Sequence, residues 1–286
     1  MSKTILVTGT SAGFGKLIAT TLADEGHSVI AAMRNVSTKN AAAAAELNEH
    51  PNVEVVEMDV TSTESVNSAI ENTLKKYGQI DVLVNNAGIG AFGFFEAYSI
   101  DQMKSIFEVN LWGPVRGIQA VLPSMRENKA GLIITISSTA GILSIPYLGP
   151  YTGSKYAIEG ITESLQYEIK KYGIEAVTVL PGPFPTEIAA KSPMPDRPEI
   201  VEAYGEDEMN KAQQFGGIIY NKILEYQTDS QEVADAVKKL IDLKAGTRPA
   251  QTVVNRMTAG IEQEFADSKI AIKTEWMTRG GFADYI

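Results

Sequence analysis

Tyr151 and Lys155 stand four residues apart, a spacing that puts both side chains on one helix face, one turn from each other. An ammonium about 4 Å from a phenol oxygen is worth about 4 kcal/mol at an effective dielectric of 20. That is about three pKa units at 1.36 kcal/mol each. The phenol is therefore expected to move from its usual value toward neutrality, with desolvation opposing the shift. An acidified phenol is suited to proton exchange; the bland alternative is an exposed tyrosine and lysine on a solvated helix face. Just upstream, the apolar run Leu132 to Ile136 gives way to Ser137 and Ser138, so strand, loop and helix meet at this point.

A second chemical feature opens the chain. The short apolar strand Ile5-Leu6-Val7 leads into Thr8-Gly9-Thr10-Ser11-Ala12-Gly13-Phe14-Gly15 and then an amphipathic run, Lys16 to Glu25. Strand, glycine turn and helix aim backbone N–H groups and a helix N-terminus at a diphosphate. The next strand, Ser28 to Met33, ends in Arg34 and Asn35, where dinucleotide folds often place an acid for the adenosine ribose. A missing carboxylate and a present cation favour NADPH over NADH.

The elements that must position these residues follow in alternation. Asn40 to Glu49 is a helix without evident chemistry, and Val53 to Met58 a third strand ending in Asp59-Val60. Asp59 is placed either to meet a ligand or, with Thr61, to cap the helix Ser62 to Tyr77. The fourth strand, Ile80 to Val84, runs into Asn85-Asn86-Ala87-Gly88, whose amides are expected to tie neighbouring strand ends together or to touch ligand directly. Ser99 to Arg126 reads as helix interrupted at Asn110-Leu111-Trp112-Gly113-Pro114. Pro114 has no N–H for the Asn110 carbonyl, so that carbonyl is freed to hold a water at a kink; a bent helix with a capping Asn is the alternative. Trp112 reads as core packing.

Tyr151 to Lys170 is the next helix, and Glu175 to Leu180 a sixth strand ending in Pro181-Gly182-Pro183-Phe184-Pro185-Thr186. The segment at about 183–228 is too long for a plain connection and reads as a substrate lid, with Phe184, Ile188, Met194, Tyr204 and Phe215 as its apolar inner surface and a helix interrupted at Gly216-Gly217. A helix Gln231 to Leu243, a seventh strand Pro249 to Asn255 and a C-terminal extension at about 256–286 complete one catalytic domain over 1–286.

Composition sets limits. The chain has 286 residues, 44% hydrophobic and 21% charged, with a formal net charge of −10 and dispersed basic residues. That disfavours nucleic acid and anionic membrane as partners. Cysteine is absent, which excludes disulfides, thiolate catalysis and cysteine zinc sites. His27 and His50 read as surface residues with no second ligand nearby, so no metal site is expected. The N-terminal apolar run is too short for a secretion signal, and the expected location is the cytoplasm.

Taken together, Thr8-Gly9-x-x-x-Gly13-x-Gly15, Asp59-Val60, Asn85-Asn86-Ala87-Gly88, Asn110, Ser138, Tyr151-x-x-x-Lys155 and Pro181-Gly182-x-x-x-Thr186 resemble the short-chain dehydrogenase/reductase family. The likeness covers about the first 190 residues in motifs and the layout to residue 255. It implies a Rossmann-type doubly wound sheet of seven parallel strands with helices on both faces. It also implies a catalytic tetrad of Asn110, Ser138, Tyr151 and Lys155, and chooses Ser138 over Ser137. Tyr151 is expected to be the general acid/base, Ser138 to hydrogen-bond the substrate oxygen, Lys155 to bind the nicotinamide ribose, and Asn110 to hold a relay water. The cofactor set is Gly9, Ser11, Gly13, Phe14, Gly15, Arg34, Asp59, Val60, Asn86, Ala87, Gly88, Tyr151, Lys155, Pro181, Gly182 and Thr186. Arg34 with Ser11 resembles NADPH-preferring members, although the basic residue many of them carry in the glycine turn is missing.

The activity expected is hydride transfer between NADP(H) and a ketone or secondary alcohol with apolar substituents, in a homodimer or homotetramer. Two alternatives stand beside it. One is an NADP(H)-sensing protein without turnover, which would not need a filled tetrad. The other is a 3-ketoacyl-type reductase, which would want a basic docking patch that a charge of −10 does not favour.

Overall fold

The computed structural model describes residues 2–285, without the side chains of 189 and 190. Its centre is a seven-stranded sheet: β1 (Thr4–Thr8), β2 (Ser28–Met33), β3 (Val53–Glu57), β4 (Val82–Asn85), β5 (Gly131–Ile136), β6 (Ile174–Pro181) and β7 (Gln251–Val254). The order is β3-β2-β1-β4-β5-β6-β7, with every neighbouring pair parallel. Parallel strands need crossovers, and the sequence supplies an amphipathic helix for each. The sequence reversal between β1 and β4 opens a crevice at the strands' carboxyl ends, where ligands of such sheets bind.

The first crossovers use α1 (Gly13–Asp24), α2 (Ala41–Asn48) and α3 (Thr63–Tyr77). Next come α4 (Ile100–Phe107), α5 (Gly113–Asn128) and α6 (Gly149–Ile169). Two apolar layers result. One packs Ile18, Leu22, Val233 and Val237 against Ile5, Val7, Val84 and Ile134. The other packs Val66, Ile70, Ile118 and Val121 against Leu6, Leu83 and Ile133. At about 25 cal/mol per Å² of apolar surface, these layers hold the strand ends in fixed register, so the loops above them are held too.

The excursion after β6 is helical: α7 (Ile188–Lys191), α8 (Pro198–Ala203) and α9 (Glu206–Tyr226) precede α10 (Gln231–Asp242), and α11 (Ile261–Arg279) follows β7. Gly216 and Gly217 do not interrupt α9 as expected; the helix runs through both, and a methyl built on Gly216 would lie 3.6 Å from the Phe92 ring. The apolar inner surface is also redrawn. Phe184 belongs to the domain core, edge-on to Phe14 at 5.5 Å, while Met194 and Ile188 face solvent. Trp112, expected in the core, is exposed. His27, expected at the surface, is buried and accepts a hydrogen bond from the Lys3 N–H.

Candidate active site

The ends of β1 to β6, together with α1, α6 and the helical segment around Asn110, build the site. At the end of β1, Gly9 has φ +73° and Gly13 φ +57°, backbone that L residues reach at a cost. A methyl on Gly9 would lie 2.8 Å from the Ala87 Cα, and one on Gly15 would strike the Gly9 carbonyl and the Asn86 amide. The turn thus closes tightly on the loop after β4. Ala12 gives α1 no side-chain cap, and its first turn holds no acid. The N-terminal N–H groups of α1 are therefore left for an anion.

The polar run after β4 ties strand ends, as expected of Asn86. Its amide donates to the Thr8 carbonyl (2.8 Å) and the Gly9 carbonyl (3.2 Å). The Thr8 hydroxyl accepts from the Asn86 and Ala87 N–H groups at 3.0 and 3.1 Å. Asn85 is buried, but its Nδ2 has no hydrogen bond among the described residues.

At the end of β2, the Arg34 side chain is exposed and makes no hydrogen bond or ion pair among the described residues; its carbonyl accepts from Asn40 at 2.6 Å. Asp59 Oδ1 accepts from both the N–H and the hydroxyl of Thr61 (2.9 and 2.8 Å). Burial works against the Asp59 charge, yet these bonds with Arg34 and Arg116 hold its pKa below the usual range. The cap of α3 is Ser62, which accepts from the Ser65 N–H, so the capping alternative for Asp59 does not hold. Val60 is fixed through its carbonyl by Arg116 (3.2 Å).

The interruption near Pro114 is a π-helical segment, Glu108–Trp112, in which the Gly113 N–H bonds five residues back to Glu108. Such a bulge is a recognised cause of a kink. The Asn110 side chain does not cap a helix. It clamps Ile89, accepting from its N–H and donating to its carbonyl (both 2.9 Å), and donates to Ser154 Oγ (3.0 Å). Ser154, buried and unforeseen from sequence, passes the link to the Tyr151 carbonyl at 2.7 Å. The Asn110 clamp brings Gly88 close: a methyl there would lie 3.4 Å from Asn110 Oδ1 and 3.8 Å from Lys155 Nζ.

Ser138 follows β5 and its hydroxyl accepts from the Ala140 N–H at 3.1 Å. The same hydroxyl stands near enough to the Tyr151 phenol to favour its ionised form. Lys155 is buried on the face of α6 below Tyr151, its Nζ 5.7 Å from the tyrosine ring centre and donating to the Ile136 carbonyl at 3.0 Å. Here the electrostatic expectation is corrected. Desolvation raises the Tyr151 pKa, with Ser138 opposing, so the phenol is not drawn toward neutrality. The physical reason is that the ammonium is itself penalised by burial, with a pKa lowered to about 8, and it points at a carbonyl.

The remaining sequence candidates fall around this centre. Thr186 faces the glycine turn, 3.9 Å from a methyl built on Gly13. The Pro181 carbonyl lies 3.5 Å from Ser138 Oγ. Gly182 bonds to the Val254 carbonyl (2.9 Å) and has no room for a side chain against Asn255. Ser11 lies within the turn and makes no side-chain hydrogen bond among the described residues.

Four residues before Tyr151, Tyr147, a non-glycine residue at φ +64°, organises an aromatic group. Its ring meets Phe92 (5.9 Å), Phe94 (5.7 Å) and Phe215 of α9 (5.6 Å), and Phe94 stacks on Tyr204 at 4.0 Å. The excursion is also latched at its base: Asp196 accepts from the Ser99 N–H (2.8 Å) and hydroxyl (2.5 Å), and Gln102 donates to the Met194 carbonyl (2.6 Å).

This fold and constellation agree with what the sequence matches. Residues 3–196 fit the family described as short chain dehydrogenase, and the chain belongs to that family. It is an NAD(P)-dependent oxidoreductase acting on CH–OH groups. Among its relatives is the 3-ketodihydrosphingosine reductase of Bacteroides thetaiotaomicron, 37% identical over 204 residues, which are 71% of this chain and 70% of that one. Another is the NADPH-dependent 3-dehydrocapnine reductase of Ornithobacterium rhinotracheale, 35% identical over 208 residues, 70% of this chain and 72% of that one. A crystal structure of a short-chain dehydrogenase from Streptomyces avermitilis is 29% identical, with a TM-score of 0.75 over 98% of this chain and 99% of that one. Among the described residues no helix is long and apolar enough to cross a membrane.

Proposed function

We propose that this chain reduces a ketone with large apolar substituents to a secondary alcohol, using NADPH. The observation that carries the reading is the convergence of the Tyr151 phenol, the Ser138 hydroxyl and Lys155 beyond β5, with Lys155 beside Gly88. A dinucleotide fits the residues present, since Gly9 and Gly15 let the turn close tightly on the loop after β4 and α1 offers uncapped N-terminal N–H groups. Gly9, Ser11, Gly13, Phe14 and Gly15 would hold the diphosphate. Asp59, Val60, Asn86, Ala87 and Gly88 would line the adenosine and ribose, and Pro181, Gly182 and Thr186 the nicotinamide. The unpaired Arg34 guanidinium supports a 2′-phosphate partner.

NADPH, when bound, supplies the hydride. Tyr151 donates its proton to the substrate oxygen, and the Ser138 hydroxyl hydrogen-bonds that oxygen as charge develops on it. Lys155 would hold the nicotinamide ribose, and the Asn110 backbone, within the π-helical turn, would hold the water that returns a proton. A phenol whose pKa is raised stays protonated at neutral pH, which supports the reducing direction. The Tyr147 aromatic group and α9 form the apolar wall of the substrate, and the two relatives named for reducing a 3-keto and a 3-dehydro compound support a long-chain ketone.

The test is NADPH consumption by the full chain with 3-ketodihydrosphingosine and with a short aliphatic ketone. Tyr151→Phe is expected to lower turnover about 10²- to 10⁴-fold with NADPH binding retained. Undiminished turnover in that variant refutes the assignment of Tyr151.

A further inference from the structure

One turn beyond Lys155 on α6 lies Glu159, a carboxyl with 1% of its surface exposed. Ionisable groups are almost never buried without partners, and those of Glu159 come from the far edge of the sheet. Its Oε2 accepts from Thr178 Oγ1 of β6 at 3.1 Å and from Gln251 Nε2 of β7 at 2.5 Å. The Ser137 hydroxyl lies against the same carboxyl, but neither Ser137 Oγ nor Glu159 Oε1 completes a regular hydrogen bond. The pocket is tight: a methyl on Gly141 would lie 2.9 Å from Ser137 Oγ and 3.1 Å from Glu159 Cγ.

The charged groups around it are few. On α6 they are Lys155, whose ammonium Glu159 favours, and Glu163, which acts against the Glu159 charge. Glu163 is itself paired with Lys269 and Lys273 of α11. The groups presented by β6 and β7 are neutral. Burial pushes the Glu159 pKa up, while Ser137, Gln251 and Thr178 oppose that rise. Their bonds favour the ionised form. Tying α6 to two strands would need only hydrogen bonds, which a glutamine also makes; what a carboxylate adds is charge.

We propose that Glu159 is a positioning residue whose buried carboxylate, clamped by Thr178 and Gln251, is the counter-charge that keeps Lys155 an ammonium beneath Tyr151. The inference rests on the catalytic reading of Lys155 given above. It makes β7 and the elements behind it part of the machinery, because Gln251 stands at the start of that strand.

The direct test is an NMR titration of the cofactor-free full chain carrying ¹³C-labelled lysine, with the Lys155 signal assigned by its loss in Lys155→Met. Lys155 is expected to titrate near 8, and in Glu159→Gln its midpoint is expected to fall by about one pH unit. The high-pH limb of the ketone-reduction profile should move with it. Thr178→Val removes one donor and should shift the midpoint in the same direction by a smaller amount, which keeps the test open if Glu159→Gln does not fold. A Lys155 midpoint in the folded variant equal to that of the parent overturns the role of Glu159. Should Lys155→Met retain full turnover, the catalytic reading itself fails; an inactive Lys155→Met with an unmoved midpoint in the Glu159 variant rejects only the counter-charge.

Discussion

Gly9→Ala tests the glycine turn in a way that separates backbone strain from crowding. Gly9 and Gly26 have similar left-handed backbone, φ +73° and +81°, so an alanine at either site incurs a left-handed cost of about 1–2 kcal/mol. At Gly26 nothing lies within 4 Å of the added methyl, whereas at Gly9 it meets the Ala87 Cα at 2.8 Å. Displacing that backbone adds about 1–3 kcal/mol. With an unfolding entropy of about 2.1 cal/mol/K per residue, 1 kcal/mol is worth somewhat under about 2 °C in a chain this long. Gly26→Ala should therefore lower Tm by about 2–3 °C and Gly9→Ala by about 3–8 °C. Scanning calorimetry measures both. Fluorescence titration with NADPH should show weakened binding only in Gly9→Ala, since Ala87 and Asn86 move with the turn. Equal melting temperatures and equal NADPH affinities in the two variants would refute the close packing of the turn on the β4 loop.

Arg34→Ala should raise the Kd for NADPH by about 10- to 100-fold, the loss of a charge-assisted contact, and leave that for NADH unchanged; parallel titrations decide it. Reduction should be fully supported below the Lys155 pKa of about 8 and decline as pH rises through it, because the ammonium is lost, and a kcat/KM profile from pH 6 to about 10 checks the sign. Tyr204→Ala removes the stack on Phe94, worth about 0.5–1.5 kcal/mol. It should raise KM for a long-chain ketone about 2- to 10-fold with little change for a short one. Thr8→Val leaves the Asn86 and Ala87 N–H groups without their acceptor and should destabilise the chain by about 1–3 kcal/mol in urea denaturation.

The doubly wound sheet was legible because its central strands, β1, β2, β4, β5 and β6, are apolar runs separated by helical patterns, both of which are local. The shared helix face of Tyr151 and Lys155 was legible as a spacing, whereas the choice of Ser138 over Ser137 needed the family resemblance. Other features were hidden for definite reasons. Phe184 reads as lid because it sits among prolines, but its ring reaches back to Phe14, 170 positions earlier in the chain. Gly216-Gly217 reads as a break, yet α9 runs through it, with the Phe92 ring beside Gly216 and Tyr147 against the neighbouring Phe215. Glu159 was overlooked although it repeats the four-residue step from Lys155, because nothing local distinguishes a buried carboxyl from a solvated one.

Local order along the chain determined which residues are present to do chemistry: a phenol and an ammonium one helical turn apart, hydroxyls after a buried strand, glycines before a helix, and a cation where an acid would select NADH. Tertiary structure alone decided their electrical state. Spacing predicts that Lys155 acidifies Tyr151, but burial depends on what β5, β6 and β7 bring around α6. Desolvation there lowers the lysine pKa, raises that of the tyrosine, and makes a carboxyl from the same helix their neighbour. Burial, neighbouring charges and hydrogen bonds together set the charge of a buried group, and here the burial comes from strands far away in sequence.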